Sequence, residues 1–234
     1  MLACICGSVS YQINQNTMGN VQELRKTNEI IRDFSTGAGR KVTKKVLVII
    51  GHPDQESFNY ALADAYLQGI DQSTTKLDVI KLADLTFNPN LAYGYRKVSK
   101  LEPDLLEAIE KIKAADHLVW FFPMWWYGLP ALMKGFIDRI FLPGVFFKYQ
   151  KGKLFPRRLL TGKTARLVIT ADTVRWYDYL FMRSPLINQF KKGTLEFCGV
   201  KPVKVTYIAP IKESSLSFRK SWLKKVRKLG QVAA

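Results

Sequence analysis

Three cysteines in 234 residues are too few for a disulfide framework. Cys4 and Cys6 have no second pair to complete a zinc-type ligand set, and Cys198, in LEFCGV, reads as a buried thiol. Histidine is scarcer still, with His52 and His117 alone. A metal centre built on His52, Asp54 and Glu56 lacks further ligands, so none is expected. No apolar run reaches the roughly 18 residues of a membrane span. The apolar N-terminal patch has no basic stretch before it, which argues against a cleaved secretory signal. Repeats and low-complexity tracts are missing. These absences point to a globular chain of the reducing cytoplasm.

Acidic residues run short in one half. Residues 145–234 carry 20 basic and 4 acidic side chains, a net of +16, whereas residues 1–144 carry 16 and 15, a net of +1. Such asymmetry suits an anionic partner, either the inner face of a membrane or a phosphorylated cofactor; a solvated basic surface is the plain alternative. Nucleic acid is disfavoured, because the basic residues are not interleaved with stacking aromatics.

Residues 1–44 read as an N-terminal extension. They are polar and Gly/Ser/Thr-rich apart from VQELRKTNEIIRDF, a candidate short helix, and Met18 is an alternative start. From Lys45 the pattern becomes β then α, repeated. Apolar or alternating runs at 46–50, 77–82, 117–122, 165–170 and 203–208 predict strands. Helical spacing predicts helices from Ser57, over 103–113, 130–141, 186–197 and 217–229. Five strands alternating with helices predict a three-layer α/β sandwich with a parallel sheet in 2-1-3-4-5 order.

Ligands of such sheets bind where the strands end. After the first strand comes GHPDQESFN, which lacks the glycines of a dinucleotide fold and of a P-loop. Ser57, Phe58 and Asn59 open a helix whose free amides and positive dipole end suit a phosphate, with the Ser57 hydroxyl and His52 ring as added donors. A plain capped turn remains the alternative. After the third strand, Pro123, Met124, Trp125, Trp126 and Tyr127 lead into Gly128. Three large aromatics there suit stacking on a planar ring, or else a core plug or a subunit seam. After the fourth strand, Thr170, Ala171, Asp172, Thr173, Trp176 and Tyr177 supply a third wall or a simple packed loop. In the final helix, Phe218, Trp222, Val226 and Leu229 form an apolar stripe that either packs on the sheet or meets a membrane.

The strings VLVIIGHPDQESFNYALADA and FFPMWWYGLPALMKGFIDRIF resemble the flavodoxin-like NAD(P)H:quinone oxidoreductases. This is the DT-diaphorase type, which includes the modulator of drug activity B and potassium-efflux ancillary oxidoreductases. The likeness runs from about Lys45 to Leu229. It implies a flavin, FMN or FAD, with its phosphate on His52, Ser57, Phe58 and Asn59. Its ring would lie against Pro123, Met124, Trp125, Trp126 and Tyr127, and its pyrimidine edge at the Thr170–Thr173 loop, with Tyr177 nearby. It further implies a homodimer in which NAD(P)H reduces the flavin and a quinone-type acceptor then takes two electrons. Trp126, Tyr127 and Tyr177 are the candidates closest to the chemistry. The alternative is a regulatory flavin-binding subunit of a membrane transporter with low turnover. Two departures stand out. The Thr170–Thr173 run lacks the family's paired glycines and adds the charge of Asp172, unwelcome beside a reduced flavin. No histidine lies downstream of His117 to assist hydride transfer.

Overall fold

A computed structural model describes residues 44–232 except 95 and 98. Residues 1–43 of the expected extension, with its helix, the Cys4/Cys6 pair and Met18, fall outside the described residues; Lys44, its last residue, begins the first strand. Strands β1 (Lys44–Ile50), β2 (Thr75–Lys81), β3 (His117–Pro123), β6 (Thr164–Thr170) and β7 (Val203–Ile208) form one parallel sheet in the order β2-β1-β3-β6-β7. That is the expected 2-1-3-4-5 order. A small antiparallel hairpin, β4 (Phe147–Lys148) with β5 (Arg157–Arg158), was not anticipated. The helices are α1 (Phe58–Leu67), α2 (Pro103–Ala114), α3 (Ala131–Ile140), α4 (Arg175–Leu180), α5 (Pro185–Ile187, continuing as a π-helix over Asn188–Glu196) and α6 (Leu216–Gln231).

The central strands are apolar on both sides because both faces are covered. Val46, Val48, Ile50, Val119 and Phe121 join Tyr66 of α1 and Val226 of α6 in one core. Leu47, Ile49, Leu118, Trp120 and Phe122 meet α2, α3 and α5 in the other. Phe218, Trp222 and Leu229 pack against the first core, so the apolar stripe of α6 belongs to the sheet. Its solvent face carries Lys220, Lys224, Arg227 and Lys228. No helix of the described residues is long and apolar enough to cross a membrane.

α1 and α6 approach closely through two glycines. A Cβ on Gly230 would lie 2.1 Å from the Tyr66 carbonyl oxygen, and one on Gly69 would lie 2.0 Å from that of Arg227. Backbone cannot give way as a flexible side chain can. Gly230→Ala is therefore expected to destabilise the fold by about 1–3 kcal/mol through overpacking, although alanine is the better helix former. A urea midpoint equal to wild type would contradict this.

Candidate functional site

Three connections at the carboxyl ends of β1, β3 and β6 touch one another. Phe58 and Asn59 open α1. Tyr60 N–H and Ala61 N–H donate to the Ser57 carbonyl at 3.0 and 3.4 Å, so the Phe58 and Asn59 amides stand at the open end of the helix. Ser57 holds the N-cap position, but its side chain makes no cap hydrogen bond. The alternative of a plain capped turn thus lacks its side-chain bond: the Ser57 hydroxyl is buried with no partner among the described residues. A buried, unpaired donor is rare, and here it lies beside uncommitted amides.

His52 Nδ1 accepts the Asp54 amide at 3.0 Å, so its ring proton sits on Nε2, where it can be donated. Burial lowers its pKa, with Asp54 opposing in part, and favours the neutral ring. The same ring meets Trp125 edge to face, with centroids 5.4 Å apart. The loop after β1 and the aromatic turn are thereby joined.

Trp125 and Gly128 close a two-residue hairpin turn: Trp125 N–H donates to the Gly128 carbonyl at 3.1 Å and Gly128 N–H to that of Trp125 at 2.8 Å. Between them Trp126 and Tyr127 have φ of 49° and 57°. This is the left-handed conformation that glycine or asparagine normally supplies in such turns. For two bulky aromatics it stores on the order of 1–3 kcal/mol each. The turn holds Trp126 completely exposed, at 100%, and its two central amides have no backbone partner among the described residues.

The third connection is tied to the others. Met124 N–H donates to the Thr170 carbonyl at 2.7 Å, and the buried Asn59 side-chain Nδ2 donates to Thr170 Oγ1 at 2.9 Å. Asp172 turns its charge to the backbone: its Oδ1 accepts from the amides of Ile211 and Lys212 at 3.2 and 2.6 Å. Met124, Trp125, Trp126, Tyr127, Asp172 and Thr173 line an open groove of about 440 Å³, a size usual for small-molecule sites. Pro123 and Ala171 are buried behind it. Tyr177 does not line the groove; it stands on α4, stacked on Phe181 at 5.0 Å.

Several residues escape a reading of the sequence. The Arg219 guanidinium, held by the Ser214 hydroxyl at 2.9 Å and the Ile211 carbonyl at 3.1 Å, lies 5.6 Å from the Phe58 ring centre. It brings a positive charge to the mouth of α1. Tyr207 donates to the Thr173 carbonyl at 2.8 Å. Burial first, then the charge of Asp178, pushes its phenol pKa up. Arg175 binds the buried Asp178 carboxylate and, at 2.7 Å, the Ser184 hydroxyl, which fixes α4. No spacing in the sequence links these groups.

His117 takes no part. It lies at the far edge of the sheet, where burial first, then Lys44, Arg166 and Lys204, hold it down to about 4. Its unfolded value lies near 6.5. The native state thus resists protonation, and stability present above pH 6.5 is lost as pH falls towards 4. We expect a loss of about 2–3 kcal/mol, allowing for partial exposure. The slope should flatten in His117→Asn; an unchanged pH–stability curve in that variant would refute the assignment.

A parallel sheet with a helix N-terminus and an aromatic turn flanking its β1/β3 switch point defines a flavodoxin-type binding domain. The chain belongs to the family described as having a flavodoxin-like fold, whose profile matches residues 44–230. It is similar to the mouse protein named ribosyldihydronicotinamide dehydrogenase [quinone], at 28% identity over 218 residues, covering 80% of this chain and 92% of that one. It is also similar to guinea-pig NAD(P)H dehydrogenase [quinone] 1, at 27% over 180 residues, 67% of this chain and 65% of that one. Among solved structures, Smu.1420 from Streptococcus mutans superposes with a TM-score of 0.70 at 28% identity, covering 80% and 98% of the two chains.

Proposed function

We propose that the chain is a flavin-dependent NAD(P)H oxidoreductase passing two electrons to a quinone or similar acceptor. One observation carries this reading. The unpaired, buried Ser57 hydroxyl stands beside free helix amides, while His52 links that spot to the aromatic turn. An anionic group and a flat ring joined to it, as in a flavin, fit both parts at once. The relatives' names are those of dehydrogenases acting on quinones, which favours an enzyme over the regulatory flavin-binding subunit.

When bound, the flavin would supply two-electron transfer between NAD(P)H and the acceptor. His52, Ser57 and the amides of Phe58 and Asn59 would hold the phosphate, with Arg219 adding charge. Trp125, Trp126 and Tyr127 would offer the ring an aromatic face. Asp172 is compatible with this because two amides already engage its charge.

Purified protein incubated with FMN or with FAD should retain flavin near-stoichiometrically and oxidise NADH or NADPH when menadione is added. Retention of neither flavin would overturn the proposal. A homodimer accompanies it, since the fully exposed Trp126 and the exposed Trp176 and Phe181 are apolar surface that a second copy would cover. Light scattering at one chain's mass would refute that state. Peripheral attraction to an anionic membrane rests only on the solvent-facing lysines of α6, and should vanish at high salt in vesicle flotation.

A further inference from the structure

A second concentration of polar chemistry lies at the opposite edge of the sheet. Side chains alternate across a strand, and register places Lys44, His117, Thr164, Arg166 and Lys204 on the face covered by α1 and α6. Lys44, His117, Arg166 and Lys204, with Tyr66 of α1 and Leu229 of α6, line a cavity of about 330 Å³. Three of these six groups are cations. Among the described residues, no carboxylate comes within ion-pair distance of any of them. Asp116, next to His117 in the chain, already accepts the Lys45 amide at 2.8 Å.

Tyr66 has 0% exposure, yet its hydroxyl is buried without a hydrogen-bond partner among the described residues. His117 Nδ1 is paired with Thr164 Oγ1 at 2.6 Å, and Arg166 donates to Thr206 Oγ1 at 3.1 Å. The carboxyl ends of α1 and α6 end over this edge, each with roughly half a negative charge. They offset only part of three full positive charges. A buried donor without a partner, facing a cavity with excess positive charge, is suited to an anion.

We propose that this cavity binds a small oxyanion of the phosphate type, held by Lys44, Arg166 and Lys204 with the Tyr66 hydroxyl as a neutral donor. The site is separate from the groove. Strands of 7 residues, rising ~3.3 Å per residue, put roughly 20 Å between the two edges. It does not depend on the flavin reading. The ligand is either a free ion or the terminal phosphate of a larger molecule.

The chain provides its own reporter, because it contains 2 histidines, one at each edge. The flavin-loaded protein should be titrated with inorganic phosphate, and separately with glycerol phosphate, against chloride at matched ionic strength. The His117 ring is followed by NMR. A bound oxyanion counteracts the three cations, so the His117 pKa should rise by about one unit or more, saturably, while His52 stays still. Response to inorganic phosphate alone identifies the free ion; response to both identifies a terminal phosphate. Lys204→Gln, an exposed strand position, should weaken binding at least tenfold without altering flavin content, and Arg166→Gln should do the same. The proposal fails if neither phosphate moves His117 beyond the chloride control. It also fails if Lys204→Gln responds like wild type.

Discussion

Ser57→Asp is expected to empty the flavin site while leaving the fold at least as stable. Aspartate is a preferred N-cap and interacts well with a helix N-terminus. The wild-type serine makes no cap bond, so the fold loses nothing and gains a carboxylate beside the open amides of α1. That carboxylate occupies the spot proposed for the cofactor phosphate. Two like charges about 4 Å apart repel by about 4 kcal/mol at a surface-like dielectric. Even half of that would weaken flavin binding by roughly 30-fold, and 100-fold is about 2.7 kcal/mol. The readouts are flavin content after dialysis and the thermal midpoint of the flavin-free protein. Retained flavin would place the phosphate elsewhere, whereas a lowered midpoint would mean that Ser57 serves the fold.

Glu102→Ala should produce the largest loss of stability of any single truncation considered. Arg139 is 3% exposed. Its guanidinium donates to both Glu102 oxygens, at 3.2 and 2.7 Å, and to the carbonyls of Asn88 and Lys100. Glu102 also accepts the Asn88 amide at 3.0 Å. Removing the carboxylate strands a buried cation, which costs about 3 kcal/mol or more. Replacing both partners with apolar groups, as in Glu102→Leu with Arg139→Met, should recover most of that, because the penalty is an uncompensated charge and not a lost bond. Urea denaturation distinguishes the cases. A single-variant loss below 1 kcal/mol would mean that water reaches the guanidinium.

These two sites differ in how far they were legible from the residues alone. Helix starts, apolar strands and the aromatic doublet are local signals, so the sheet order and the loops at its carboxyl edge followed from pattern. The short helix α4 did not. Its RWYDYL shows no apolar period, and the residue it buries is Asp178. Pairings across the chain were equally hidden. Asn59 and Thr170 are 111 residues apart, and nothing in either neighbourhood announces the other. Trp126 and Tyr127 were legible as an aromatic doublet after the third strand, but their left-handed backbone was not readable, since neither residue type prefers it. Asp172 looked like a misplaced charge only because its two amide donors lie some forty residues downstream.

The contact of Arg219 with Phe58 has a bearing on how the protein is made. The mouth that opens just after β1 is completed by a side chain near the end of the chain, and α6 locks onto α1 through Gly69 and Gly230. A ribosome that has delivered only the first strands has therefore produced half a receptacle. Flavin capture through this mouth would therefore wait for α6, and chains truncated before α6 should carry none.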